Sequence, residues 1–236
     1  MGSPKKLSVL IAHHAPLMRF GLTKLVQSDR RFRVIGETGS APVARRMFAE
    51  AAPDLVVLSL TLQHGDGIAL LKDFKKMHPT ARALVVTART DSLSVQRAFK
   101  AGARGYVVAE DETAEVLQAL GRIAAGELYA SATIARGLLQ MLANGSVETG
   151  RDSCGQLSDR ELEVFRLIGS GFGTARLATE LHLSVKTIET HRQRIKQKLG
   201  LTNATELTQR AAEWMMDAAR QRGQLNGRKP RASRAR

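Results

Sequence analysis

With 236 residues, one cysteine and a formal charge of +14, the chain is strongly basic and long enough for two ordinary domains. A lone cysteine excludes an internal disulfide framework, and no run of about 18 apolar residues marks a membrane span. Aromatic residues make up only 4%, which argues against gripping single strands by stacking, while the charge favours a polyanionic partner. Met1 to Leu10 lacks the layout of a secretory signal, so a cytoplasmic protein with no membrane partner is expected.

From residue 7 to 128, strand-like and helix-like signals alternate, the pattern of a parallel sheet covered by helices on both faces. Leu7 to Ala12, Arg33 to Thr38, Asp54 to Leu60, Ala83 to Ala88 and Gly105 to Val108 are short runs rich in valine, isoleucine and leucine. Helices are predicted between them at Pro16 to Ser28, Pro42 to Ala51, Gly67 to Met77, Ser92 to Ala101 and Thr113 to Ala124. Five strands and five helices predict a flavodoxin-like α/β (βα)5 domain over residues 1–128, with its site at the carboxyl ends of the strands. Residues 129–156 read as a helix, Tyr129 to Leu139, and a polar glycine-containing linker holding Cys154, a bystander thiol.

Residues 157–219 change character. Capping boxes are expected at Ser158 with Glu161 and at Asn203 with Glu206, and Thr174 and Ser184 are placed to cap two helices between them. Leu162, Phe165, Ile168, Leu177, Leu181, Ile188, Ile195 and Leu199 recur at helical spacing and can close one small core. The pattern predicts an all-α helix-turn-helix domain that reads duplex DNA. With Ile188, Ile195 and Leu199 inward, Lys186, Thr187, Glu189, Thr190, Arg192, Gln193, Arg194 and Lys198 occupy the other faces of the helix Val185 to Leu199. Glutamate, glutamine and threonine suit base edges, while lysine and arginine suit phosphates. A last helix, Ala204 to Ala219, carries Trp214 either as a core plug or as the anchor of a paired copy. Residues 220–236 hold seven basic residues (Arg220, Arg222, Arg228, Lys229, Arg231, Arg234, Arg236) and no acid, the composition of a disordered phosphate-contacting tail.

Several of these motifs resemble known families. Leu157-Ser158-Asp159-Arg160-Glu161, Thr187-Ile188-Glu189-Thr190-His191 and Lys198-Leu199-Gly200 resemble the LuxR-type helix-turn-helix. The resemblance implies base contacts from Glu189, Thr190 and Gln193, with His191 as a packing and backbone-contact residue. Pro53-Asp54, Asp66-Gly67, Thr87-Ala88 and Ala101 to Tyr106 resemble the receiver of NarL/FixJ-type response regulators. Such receivers use a carboxylate pair for Mg²⁺, an acceptor aspartate, a threonine and a lysine. Here those positions hold His13 and His14, Ser59, Thr87 and Ala109, so only the threonine is kept and a degenerate phosphorylation pocket is expected. Imidazoles are poor Mg²⁺ ligands, and a serine hydroxyl does not form an acyl phosphate.

The resemblance therefore implies a dimeric transcription regulator acting without aspartyl phosphorylation, with double-stranded DNA as partner and no cofactor. A protein partner or the transcription machinery would receive its output. His13, His14 and His64 near the altered pocket leave open a ligand- or metal-sensing regulator. Adjacent strand residues point to opposite faces, however, so His13 and His14 are not expected to converge, and no metal site is expected. Asp66 is expected to shape its loop. A sequence-tolerant architectural DNA binder relying on the tail is a further reading, and an enzyme has no catalytic set to draw on.

Overall fold

Branched and leucine side chains alternate along the first domain's strands so that successive residues enter opposite cores, and this sets the layering. The computed structural model describes residues 6–143 and 153–226. In chain order the first domain comprises β1 (Leu7–Ala12), α1 (Pro16–Ser28), β2 (Phe32–Thr38), α2 (Ala41–Ala51), β3 (Leu55–Leu58), β4 (Thr61–Leu62), β5 (Gly65–Asp66), α3 (Gly67–Met77), β6 (Arg82–Thr87), α4 (Ser92–Ala101), β7 (Ala103–Val108), α5 (Thr113–Ala124), β8 (Tyr129–Ala130) and α6 (Ala132–Ala143). The main sheet runs β2-β1-β3-β6-β7-β8, all parallel, and β4 and β5 form a separate antiparallel pair. Leu10, Val56, Val85 and Tyr106 pack with Phe48, Phe74 and Ala98 of α2, α3 and α4. Their strand neighbours Val9, Val57, Leu84 and Val107 pack on the other face with Leu22, Val26, Leu120 and Ile123 of α1 and α5.

Two expectations are corrected here. The sheet has six strands, because Tyr129 and Ala130 pair in register with Gly105 and Tyr106 instead of starting a helix. The following helix begins at Ala132, and its Ile134 and Leu138 lie on the first domain's core. β8 and α6 thus extend the body of this domain past the expected boundary at residue 128.

The second domain opens with a 3-10 turn (Ser153–Gln156), followed by α7 (Asp159–Gly169), α8 (Thr174–Leu181), α9 (Val185–Leu199) and α10 (Ala204–Asn226). Its core gathers Leu157, Leu162, Phe165, Ile168, Leu177, Ile188, Ile195, Leu207 and Ala211. Cys154 is fully buried in that core, not a bystander in a polar linker. Ser158 and Glu161 form the reciprocal capping box of α7. Thr174, by contrast, is the first residue of α8. Gly173 precedes it without a side-chain cap, and the Thr174 hydroxyl donates to Glu189 of α9 at 2.9 Å. At α10, Asn203 accepts the Glu206 N–H at 2.9 Å, while the Glu206 carboxylate reaches the N–H of Thr202, one residue earlier than a reciprocal box requires.

α10 also runs beyond the expected Ala219 to Asn226. Arginine, glutamine and leucine there favour the helix enough to carry it through Gly223. The remainder of the expected tail, 227–236, and the linker segment 144–152 lie outside the described residues.

Candidate nucleic-acid interface and strand-end pocket

The helix expected to read DNA, α9, is fixed from inside by the fully buried Ile188 and Ile195. Ser184 caps its start by accepting the Thr187 N–H at 3.0 Å, and Gly200 ends it at φ 67°, a conformation glycine adopts without strain. Lys186, Glu189, Thr190, Gln193, Arg194 and Lys198 are exposed; Thr187, His191 and Arg192 are half-buried. Lys186, Thr190, Gln193 and Gln197 fall three or four residues apart and so share one outward stripe. Gln197, exposed at the end of that stripe, was not among the residues singled out from sequence.

Two of the expected contact residues are engaged elsewhere. Lys198 binds the buried Glu161 of the α7 cap at 2.6 Å. Burial opposes ionisation of Glu161, but the bonds from Lys198 and Ser158 outweigh it and hold the carboxyl below its ordinary value. Glu189 accepts from Thr174. His191 is held below its ordinary value by burial and by Arg160, and its Nδ1 has no hydrogen-bond partner among the described residues.

At the other site, the positions named from sequence do meet at the carboxyl ends of the strands. His13 and His14 follow β1, Ser59 follows β3, Thr87 ends β6 and Ala109 follows β7. The Ser59 N–H donates to Ala12 and the Ala109 N–H donates to Thr87, tying these strand ends together. The histidines correct an expectation: β1 stops at Ala12, so strand alternation no longer applies and their rings stack at 4.9 Å. Burial, with the charges of His14 and Arg19, lowers His13 to about 4, so it is neutral at pH 7. Burial lowers His14 as well, and its Nδ1 lies 3.5 Å from the Ser59 hydroxyl.

His64 does not join them in a ring contact. It takes a left-handed backbone, φ 58°, and its ring lies 4.3 Å from that of His182 in the second domain. Among the described residues no group of three or more histidine, cysteine or acidic side chains could hold a metal ion. Asp66 caps α3 by accepting the Ala69 N–H at 3.0 Å, and burial together with the Glu163 charge pushes it up to about 6.

Residues invisible to sequence reasoning join this pocket to the second domain. Arg89, two residues past Thr87, donates to the Thr61 hydroxyl at 3.0 Å and lies 3.6 Å from Glu163 of α7. Asp91, the N-cap of α4, binds Arg166 of α7 at 2.6 Å. Burial opposes ionisation of Asp91, and the Arg166 charge reverses that, leaving the carboxyl below its ordinary value. Asp159 of α7 receives Arg97 at 3.0 Å and Lys72 at 2.8 Å, and Arg97 also donates to the carbonyls of Gly155 and Leu157. Arg166 lies over the Trp214 ring, 4.9 Å from its centroid, while Phe165 meets the same ring edge-on. Trp214 is half-buried and packs against the second domain's core. These contacts engage α7 and leave the outer stripe of α9 exposed.

A parallel α/β domain with its pocket at the strand ends, joined to a capped four-helix domain with a basic exposed helix, defines a response regulator built for binding DNA. Residues 9–121 match the response regulator receiver domain, and residues 155–211 match the bacterial regulatory proteins of the luxR family. The chain belongs to the NarL/FixJ-type response regulators, a family of DNA-binding transcription regulators. It is 31% identical over 199 residues to the virulence-factor transcription regulator BvgA of Bordetella pertussis, covering 84% of this chain and 93% of that one. It is 30% identical over 207 residues to the transcriptional activator DevR/DosR of Mycobacterium tuberculosis, covering 88% and 94%. In fold it is similar to RcsB of Salmonella enterica serovar Typhimurium bound to promoter rprA, with a TM-score of 0.59 and 24% identity over 88% of this chain and 99% of that one. No described helix is long and apolar enough to cross a membrane.

Proposed function

We propose that this response regulator is a sequence-selective, duplex-DNA-binding homodimer that acts without aspartyl phosphorylation. The observation that carries the reading is the residue set at the ends of β1, β3 and β7. His13, His14, Ser59 and Ala109 stand where Mg²⁺ binding, phosphoryl acceptance and charge neutralisation would need two carboxylates, an aspartate and a lysine. Mg²⁺ requires hard oxygen ligands, and this donor set does not fit it. Asp66, the nearest acid beyond β3, is turned to cap α3. The bare exposure of Lys186, Thr190, Gln193 and Arg194 supports DNA reading by α9, and the DNA-bound RcsB relative supports duplex DNA as the partner. Dimers match paired half-sites about 10–10.5 base pairs apart.

Incubation with acetyl phosphate and Mg²⁺, followed by intact-mass analysis and DNA titration, tests the reading. The expected result is no phosphoryl adduct and tight, selective binding by untreated protein. An adduct on the first domain with a large gain in affinity would overturn it.

A further inference from the structure

The interface between the two domains contains one carboxylate that its surroundings do not satisfy. Glu163 is 2% exposed, and Arg160 holds its Oε2 at 2.5 Å. Its Oε1 accepts no hydrogen bond among the described residues, although it faces the Arg89 guanidinium at 3.6 Å. That separation is too long for a hydrogen bond, so a buried charge is paired but loosely coordinated. Arg166 Nε, in the same contact, also has no acceptor among the described residues.

Arg160 and Arg89 face Glu163 as donors, while the buried Asp66 carboxyl, which caps α3, lies near enough for the Glu163 charge to act against its ionisation. Arg89 is anchored at both ends of its backbone: its N–H bonds to the Thr87 hydroxyl at 3.4 Å, and its carbonyl receives the Tyr106 hydroxyl at 2.7 Å. Its side chain is set by Thr61, whose N–H in turn reaches the Ser59 hydroxyl at 3.3 Å. A guanidinium, hydroxyls and an imidazole replace the carboxylates that a cation would need. The sign of the preferred ligand is thereby inverted, because a preformed guanidinium fork with adjacent hydroxyls binds oxyanions.

We propose that the strand-end pocket is an oxyanion socket, with Glu163 of the chain's own DNA-binding domain as its tethered ligand and small free oxyanions as competitors. This rests on the reading that the pocket has lost its Mg²⁺ and phosphoryl chemistry. When the free anion takes Arg89 and Thr61, Glu163 leaves and α7 loses one of its ties to the first domain. Asp91–Arg166 and Asp159–Arg97 remain, so the release is partial until they too exchange with solvent. Anion level is thereby coupled to the freedom of the DNA-binding domain by competition for one guanidinium.

Trp214, the chain's only tryptophan, reports the event because Arg166 lies over its ring and also binds Asp91 and Ser94 of the first domain. The full chain is titrated with inorganic phosphate, and separately with acetate, at ionic strength held constant with chloride and without Mg²⁺. Tryptophan emission is the readout. A saturable change with either anion supports the socket, and the anion that saturates first gives its preferred geometry. Glu163→Gln, which removes the tethered competitor while keeping the side chain's shape, should lower the midpoint about tenfold or more, since a tethered group competes at an effective millimolar concentration.

The double variant Arg89→Gln with Glu163→Gln removes both facing charges, leaves Arg160 the glutamine oxygen and the Leu181 carbonyl as acceptors, and should lose saturation while keeping its circular dichroism. An identical response to chloride alone, or an unchanged midpoint in Glu163→Gln, overturns the socket and leaves the phosphorylation-independent reading standing. A phosphate response that appears only with Mg²⁺ overturns both.

Discussion

Replacing Asp66 by asparagine removes a charge that the fold opposes while keeping the hydrogen bond it makes. Burial, then the Glu163 charge, raises the carboxyl from 3.8 to about 6. The folded protein therefore holds this proton more tightly than the unfolded chain. Stability falls as pH rises from about 4 to about 6, and the loss is complete above that window. A rise of about two units at ~1.4 kcal/mol per unit amounts to about 3 kcal/mol. Asparagine is uncharged, and its side-chain oxygen accepts the Ala69 N–H as aspartate does. Asp66→Asn should thus stabilise the protein by about 2–3 kcal/mol at pH 7.5 and leave it unchanged at pH 4. Urea unfolding at both pH values, followed by circular dichroism, measures the difference. An equal gain at both pH values would refute the reasoning. So would a loss at pH 7.5, which would mean that the N-terminus of α3 favours the carboxylate more than burial penalises it.

Gln193→Ala should change the base preferred at one position of the site at a cost of about 1–3 kcal/mol, whereas Arg194→Ala should weaken all sequences alike; binding-site selection separates the two. Removing residues 227–236 deletes Arg228, Lys229, Arg231, Arg234 and Arg236. The slope of log affinity against log salt should then flatten by about 0.9 for each phosphate that the shortened chain no longer neutralises, with the preferred sequence unchanged. Gly169→Ala would set a methyl 2.5 Å from the Ala211 carbonyl, where α7 crosses α10. A loss of about 1–3 kcal/mol in thermal or urea unfolding is expected, and unaltered stability would show that α10 slides freely there.

Most of the architecture was legible because the patterns that specify it are local. The spans of α1, α3, α4, α5 and α9 follow from apolar spacing and from terminal residues such as Pro16, Ser184 and Gly200. β8 escaped because two residues carry no periodicity, and only the neighbouring Gly105 and Tyr106 make them a strand. The stacking of His13 on His14 escaped because the strand-end position at Ala12 was legible but alternation holds only within the strand and says nothing of the two residues after it. Thr174 looked like a cap because threonine commonly is one, yet its hydroxyl serves Glu189 across the turn. The pocket positions could be read from the strand ends. Arg89, Asp91, Glu163 and Arg166 could not, since their roles arise only when two domains that fold on separate patterns come together.

Cys154 gives this construction a use of another kind. It is the chain's only thiol, it is fully buried, and it sits in the turn that opens the second domain. A reagent must wait for that turn to open, so the rate of thiol modification measures a local opening free energy without any introduced label. The carbonyls of Gly155 and Leu157, just beyond the cysteine, are the two that Arg97 of α4 clasps from the first domain. The same sulfur therefore clocks how firmly one domain grips the other: Arg97→Ala should quicken its modification even where the global unfolding midpoint hardly moves.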